Sequence, residues 1–158
     1  MTAADLPAVL QVQRQAYGDA YQESAEVLDA KRRRSPAACW VACDAQGVLG
    51  YVFAHDWPGA APPPLHCPLP EVAAAQCAFL HDLAVVPRAH GRGVGGALFA
   101  AVRQWALGAR HEALNLVSLV NAVRYWQQRG FAPLASADAS AMLAYGDGAC
   151  FMRLPLDG

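Results

Sequence analysis

The chain has 158 residues and a formal net charge of −1, with 12 basic against 13 acidic side chains, 55% hydrophobic and 16% charged residues. This composition excludes a disordered chain and argues against nucleic-acid binding, which takes a basic excess to grip phosphates. It leaves room for a single domain over 1–158, with no apolar run of about eighteen residues that would cross a membrane.

The N-terminal segment MTAADLPAVLQVQRQAY lacks a basic stretch, an apolar run and a small-residue cleavage site, so no secretory signal is read. Thr2 caps a helix with Leu6, Val9, Leu10 and Val12 on its apolar side, ending at Gly18. Ser24 caps a second helix over about 25–34, closing on Lys31-Arg32-Arg33-Arg34, cations that suit a helix C-terminus. A hairpin follows: Ala38–Cys43, a turn over Asp44–Gly47, and Val48–His55. Cys39 and Cys43, four apart on one strand, are expected on one buried face.

Residues 57–70 (WPGAAPPPLHCPLP) are too rich in proline for a helix or a central strand. They form either a stiff surface loop or a wall over a binding site. Cys77–Val86 reads as a buried central strand, stopped by Pro87. A loop over Arg88–Gly93 leads to a helix over Val94–Leu107, then a strand over Ala113–Leu119. A short helix over Asn121–Arg129 closes on Gly130, and the tail from Phe131 holds two more strands, the last being Ala149–Leu154. The order α-α-β-β-β-α-β-α-β-β predicts an α+β (mixed α/β) fold. Five cysteines without tight pairing fit reduced thiols and a cytoplasmic location. The histidines at 55, 66, 81, 90 and 111 form no ligand grouping, so no metal is expected.

One segment carries chemistry: Val85-Val86-Pro87-Arg88-Ala89-His90-Gly91-Arg92-Gly93-Val94-Gly95-Gly96-Ala97-Leu98. A strand runs into a glycine-rich turn that opens a helix. The first amides of a helix lack internal partners and carry about half a positive charge. Without Cβ atoms in the way, they cradle phosphate or pyrophosphate. The absence of Gly-Lys-Ser/Thr excludes a nucleotide P-loop. Gly91-x-Gly93-x-x-Gly96 matches a dinucleotide fingerprint literally, but the acidic residue that should follow its strand, Glu112, precedes it.

With this loop, the strand Leu80–Pro87 and the segment Ala122-Val123-Arg124-Tyr125-Trp126-Gln127-Gln128-Arg129-Gly130-Phe131, the chain resembles the GNAT superfamily of acyl-CoA-dependent N-acetyltransferases. The loop is similar to the family's Arg/Gln-x-x-Gly-x-Gly/Ala, with His90 in the Arg/Gln place. The second segment is similar to the family's aromatic-aromatic-x-x-x-Gly-Phe helix. The likeness covers nearly the whole chain and implies a central mixed, mostly antiparallel sheet flanked by helices. The family's usual first strand has no room before Thr2.

The resemblance implies acetyl-CoA as donor and a primary amine of a small molecule or peptide as acceptor, attacked directly. The amides of Arg92, Gly93, Val94, Gly95, Gly96 and Ala97, with His90 and Gly91 beside them, would hold the pyrophosphate. Backbone groups of Leu83, Ala84 and Val85 would hold the pantetheine and steady the oxyanion. His81 and Asp82 are the candidates for deprotonating or binding the amine; adjacent strand residues face opposite ways, so one of the two is expected to face the substrate. Trp126 stands where the family often has a tyrosine that protonates the thiolate, leaving Tyr125 or water for that role. Trp126 would pack along the cofactor, and Asn121 either caps its helix or touches the cofactor. Tyr17, Tyr21, Glu23, His66 and Tyr145 are candidates for the acceptor pocket. An exposed sheet edge would suit a homodimer. The rival reading is a non-catalytic acyl-CoA-binding or sensor domain.

Overall fold

The computed structural model describes residues 1–156 except 20, 73, 74 and 137. Thr2 and Asp5 form a capping box around a 3-10 turn at Ala3–Asp5, which runs into α1, Leu6–Tyr17. The Ser24 hydroxyl accepts the Val27 N–H and starts α2, Ala25–Arg34. Strands β1 (Cys39–Asp44) and β2 (Gly47–Trp57) form the expected hairpin. Then come β3 (Cys77–Val85), α3 (Val94–Gly108), β4 (Ala113–Ser118), α4 (Val123–Gln127), β5 (Ala132–Pro133), α5 (Ala139–Leu143) and β6 (Cys150–Pro155).

The six strands form one sheet in the order β1-β2-β3-β4-β6-β5, antiparallel everywhere except β3–β4. This is the mixed, mostly antiparallel sheet expected, with β1 at one edge. On one face α3 buries Leu98, Val102 and Ala106, spaced by four, against Val52, Leu80, Leu114 and Met152. On the other, α1 and α2 bury Val9, Val12 and Leu28 against Tyr51 and Phe53. Each such leucine, valine, methionine or phenylalanine, fully buried, contributes about 1.5–3 kcal/mol.

Two irregularities of β3 position the site. Its parallel pairing with β4 covers only Cys77–Leu80 against Ala113–Leu116. Beyond Leu80 the two strands part, and a gap opens in the middle of the sheet. Against β2, Phe53 pairs with Asp82 and Ala54 with Leu80, so His81 is the extra residue of a β-bulge.

Three local expectations are corrected. Cys39 is buried while Cys43, next to the turn that ends β1, is exposed. The helix expected at Asn121–Arg129 starts as a 3-10 turn at Val120–Ala122 and continues as α4 only over Val123–Gln127. α5 was not expected: one turn started by Asp138, whose carboxylate accepts from Ser140 and Ala141, is too short to display an apolar period.

Candidate functional site

A cleft of about 630 Å³ occupies the gap between β3 and β4 and runs from the start of α3 to the α1–α2 connection and the proline-rich loop. At one end lies the glycine loop. Gly91 and Gly93 have φ of +74° and +80°, and Gly93 is the left-handed residue preceding α3. Side chains with a Cβ adopt that conformation at a cost of about 1–2 kcal/mol. The Ala97 N–H donates to Gly93 O at 2.9 Å and the Arg92 N–H to Ala89 O at 3.3 Å. The expected cradle of Arg92 to Ala97 therefore narrows to Gly93, Val94, Gly95 and Gly96, whose amides have no acceptor among the described residues. Arg92 and Ala97 are exposed and outside the cleft lining.

The open edge of β3 comes next. The Val86 N–H donates to Leu49 O at 2.8 Å. By the two-residue alternation of an antiparallel ladder, Ala84 also turns its peptide groups to β2, whereas Leu83 and Val85 turn theirs to the gap. Side-chain contacts agree: the Tyr17 hydroxyl lies 2.8 Å from Leu83 O, and His90 Nε2 3.0 Å from Val85 O. Of the expected trio, Ala84 is committed to the sheet. His90 ties the glycine loop to the strand that precedes it.

The bulge overturns the expectation that His81 and Asp82 face opposite ways. Both point toward α1 and α2. The Asp82 carboxylate accepts from the Tyr51 hydroxyl and from Gln13 Nε2 at 3.2 Å, and the Tyr17 hydroxyl lies 2.8 Å from its other oxygen. Burial raises the Asp82 pKa, although these donors oppose the shift. Burial also pushes the Tyr17 and Tyr51 hydroxyls well above their ordinary range, with the Asp82 charge adding to it.

The His81 side chain is 1% exposed, with Nε2 2.6 Å from Lys31 Nζ. Burial lowers its pKa, so the ring is neutral. Lys31 Nζ also donates to both oxygens of Glu23, at 2.5 and 2.7 Å. An ammonium only donates, so His81 Nε2 is the acceptor and the ring proton sits on Nδ1, a buried atom with no partner. Glu23 also accepts the His66 N–H at 3.0 Å. Burial raises the Glu23 pKa, but its charged surroundings, the Lys31 ammonium among them, outweigh it and hold the carboxyl below its ordinary range.

At the other wall, α4 carries Tyr125 and Trp126. Trp126 is buried edge-on against Phe99 and Phe131 and still lines the cleft. Tyr125 is half-buried, with the Arg129 guanidinium 3.4 Å above its ring. Its hydroxyl lies 3.0 Å from where a Cβ on Gly95 would stand, so Gly95 gives it room beside the start of α3. Burial raises the Tyr125 pKa, and the Arg129 charge opposes this. Asn121 makes no capping bond to α4 and lines the cleft.

Of the acceptor-pocket candidates, Tyr17, Tyr21, Glu23 and Tyr145 line the cleft. His66 does not: it is exposed, outside the lining, and meets the site only through its backbone N–H. The Tyr145 hydroxyl donates to Pro63 O at 2.6 Å, and Leu65 lines the cleft, so the proline-rich loop is the wall rather than a detached surface loop. Sequence reasoning missed Gln13, Tyr51, Leu65, Arg129 and Lys31. Lys31 left a trace, as the only lysine in the chain, but it read as one of four cations ending α2. In fact Arg32 and Arg33 pair with Asp29 at the surface while Lys31 turns inward.

No protein of curated function matches the sequence. Solved structures share the architecture. Ard1 from Thermoplasma volcanium superposes with a TM-score of 0.76 at 15% identity, covering 100% of this chain and 95% of that one. The ribosomal-protein-S18-alanine N-acetyltransferase from Escherichia coli gives 0.70 at 17%, covering 100% and 92%. Rv2747 from Mycobacterium tuberculosis, solved in complex with CoA and NLQ, gives 0.69 at 18%, covering 99% and 96%. At these identities the likeness concerns the fold. The profile of the acetyltransferase (GNAT) family matches residues 6–131. With most of its length matched by that profile and a sheet that parts between β3 and β4, the chain belongs to the GNAT family of acetyltransferases.

Proposed function

We propose that this single-domain chain is an N-acetyltransferase that moves the acetyl group of acetyl-CoA to a primary amine, of a small molecule or a peptide, by direct attack. The observation that carries this reading is the continuous cleft that joins four unbonded amides at the start of α3 to the open edge of β3. Outward-facing donors on a positive helix end suit a pyrophosphate, and unpaired strand peptides suit the amides of a pantetheine arm.

Acetyl-CoA supplies the activated thioester. In this reading Gly93–Gly96 bind its pyrophosphate through backbone N–H groups, and His90 and Gly91 shape the loop around it. The gap-facing N–H groups of Leu83 and Val85 bind the pantetheine arm and polarise the reacting carbonyl. Trp126 and Asn121 flank the arm.

The acceptor ammonium has to lose a proton before attack. Tyr17 and Asp82 are built to take it. With Asp82 ionised, the Tyr17 hydroxyl donates to Asp82. With Asp82 protonated, the carboxyl donates to the Tyr17 oxygen, and the Tyr17 proton turns to Leu83 O, 2.8 Å away. Both states are fully hydrogen-bonded, so a proton given up to the Tyr17 oxygen leaves Tyr17 for Asp82. His81, with Nε2 facing Lys31, supplies an N–H rather than a lone pair. Tyr125, kept protonated by burial, is the donor for the departing thiolate.

The test is thiol release from acetyl-CoA over a panel of primary amines, alongside calorimetric CoA binding. Amine-dependent release is expected. Tight CoA binding with no turnover on any amine would instead favour a non-catalytic acyl-CoA-binding domain.

A further inference from the structure

Two carboxylates line the cleft, Glu23 and Asp82, and they are held differently. Asp82 is held by tyrosine hydroxyls and Gln13. Glu23, 5% exposed, holds the ammonium of Lys31, itself 2% exposed. Among the described residues of the lining, Glu23 is the carboxylate that a cation neutralises, whereas Asp82, held by neutral donors, keeps its charge for the reacting amine. Beside Glu23 the lining includes Tyr21, Tyr145 and Leu65. The Tyr145 hydroxyl is turned away to Pro63 O and that of Tyr21 to Tyr145 O, which leaves their ring faces to the cleft.

A cation with a second charged nitrogen would have to leave water for such a surface with nothing to pair it, which is unfavourable. An apolar or aromatic body would bury its surface there at a gain. We infer that Lys31 sets the acceptor class of this enzyme: by neutralising Glu23 it keeps the acceptor end uncharged, so the acceptor is a single primary amine on an apolar or aromatic body rather than a diamine or polyamine. Lys31 acts through Glu23, touches no substrate, and is a specificity-setting residue. The inference rests on the acetyl-transfer reading only for the name of the ligand, since the pairing is a property of the cleft itself.

The experiment measures binding, not turnover, so absence of acetyl transfer would sink the proposed function and leave this result standing. Phenethylamine and 1,5-diaminopentane are titrated calorimetrically into the full chain saturated with CoA. The wild type is expected to bind phenethylamine at least about tenfold more tightly. Lys31→Met removes the ammonium and keeps an apolar stem of similar length, leaving the Glu23 carboxylate for a second ammonium. A charge-assisted hydrogen bond of that kind corresponds to about tenfold or more in affinity, so the preference should shift toward the diamine by more than threefold. The double variant Glu23→Gln, Lys31→Met should restore the wild-type ratio. Equal or tighter diamine binding by the wild type, binding of neither amine, or a shift under threefold in Lys31→Met overturns the inference. If Lys31→Met does not fold, the wild-type ratio alone decides.

Discussion

Replacing Gly93 with Asp puts a charge where the cofactor's charge is expected. Gly93 precedes α3 with φ +80° and ψ 0°, and a Cβ added there meets nothing within 4 Å. The substitution therefore creates no clash, and Asp is among the residues that tolerate the left-handed region best. Its carboxylate would sit beside the unbonded amides of Val94, Gly95 and Gly96. At roughly 5 Å and an effective dielectric constant of about 20, it repels one unit of phosphate charge by about 3 kcal/mol. Screening over a Debye length of about 8 Å reduces this to about 2 kcal/mol. The CoA dissociation constant should rise about 20-fold for one charge and about 400-fold for the two of a pyrophosphate. Calorimetric titration with CoA measures it, and circular dichroism checks the fold. Gly93→Asn is the matched control, of the same shape and the same backbone preference but neutral, and should weaken binding less than about fivefold. If the Asp variant binds CoA within threefold of the Asn variant, the pyrophosphate is not held at the start of α3.

Tyr125→Phe keeps the ring under Arg129 and removes only the hydroxyl beside Gly95. If that hydroxyl protonates the thiolate, kcat should fall about 100-fold with little change in KM, and a kcat within twofold of wild type would assign the proton to water. Acid should unfold the protein in two overlapping stages. His55, whose pKa burial and the neighbouring His81 push down to about 3, costs stability as pH falls below 6.5, because the unfolded state takes up the proton first. Glu23 is held below its ordinary 4.5. Its contribution is present above pH 4.5 and is lost as pH falls further below that value. Urea unfolding from pH 7 to 2.5 measures both stages. His55→Phe should flatten the upper stage, and an unchanged profile would mean that His55 titrates normally in the folded state.

Elements that depend on near neighbours in the chain could be read directly. The Ser24 cap, the β1–β2 turn and the turn into α3 each rest on residues within a few positions of one another, and they stand where expected. The gap between β3 and β4 could not be read from the residues, because nothing in the composition of Cys77–Val85 says where pairing stops. The bulge at His81 was not legible at all. One unpaired residue reverses the side-chain alternation downstream, and that reversal brings His81 and Asp82 to the same side.

The sequence alone determined a near-neutral chain with a glycine-rich turn opening a helix, since such a turn needs only local geometry to present its backbone amides. Tertiary structure decided the fate of the charged side chains. Lys31, Glu23, His81 and Asp82 lie on a helix, a connecting loop and a strand up to 59 positions apart. Whether a charge in such a set is free or spent depends on which partners folding carries within about 3 Å, since Coulomb energy in a buried site falls steeply with distance and with access to water. Only the folded chain shows that Glu23 is paired with Lys31 while Asp82 is held by neutral donors.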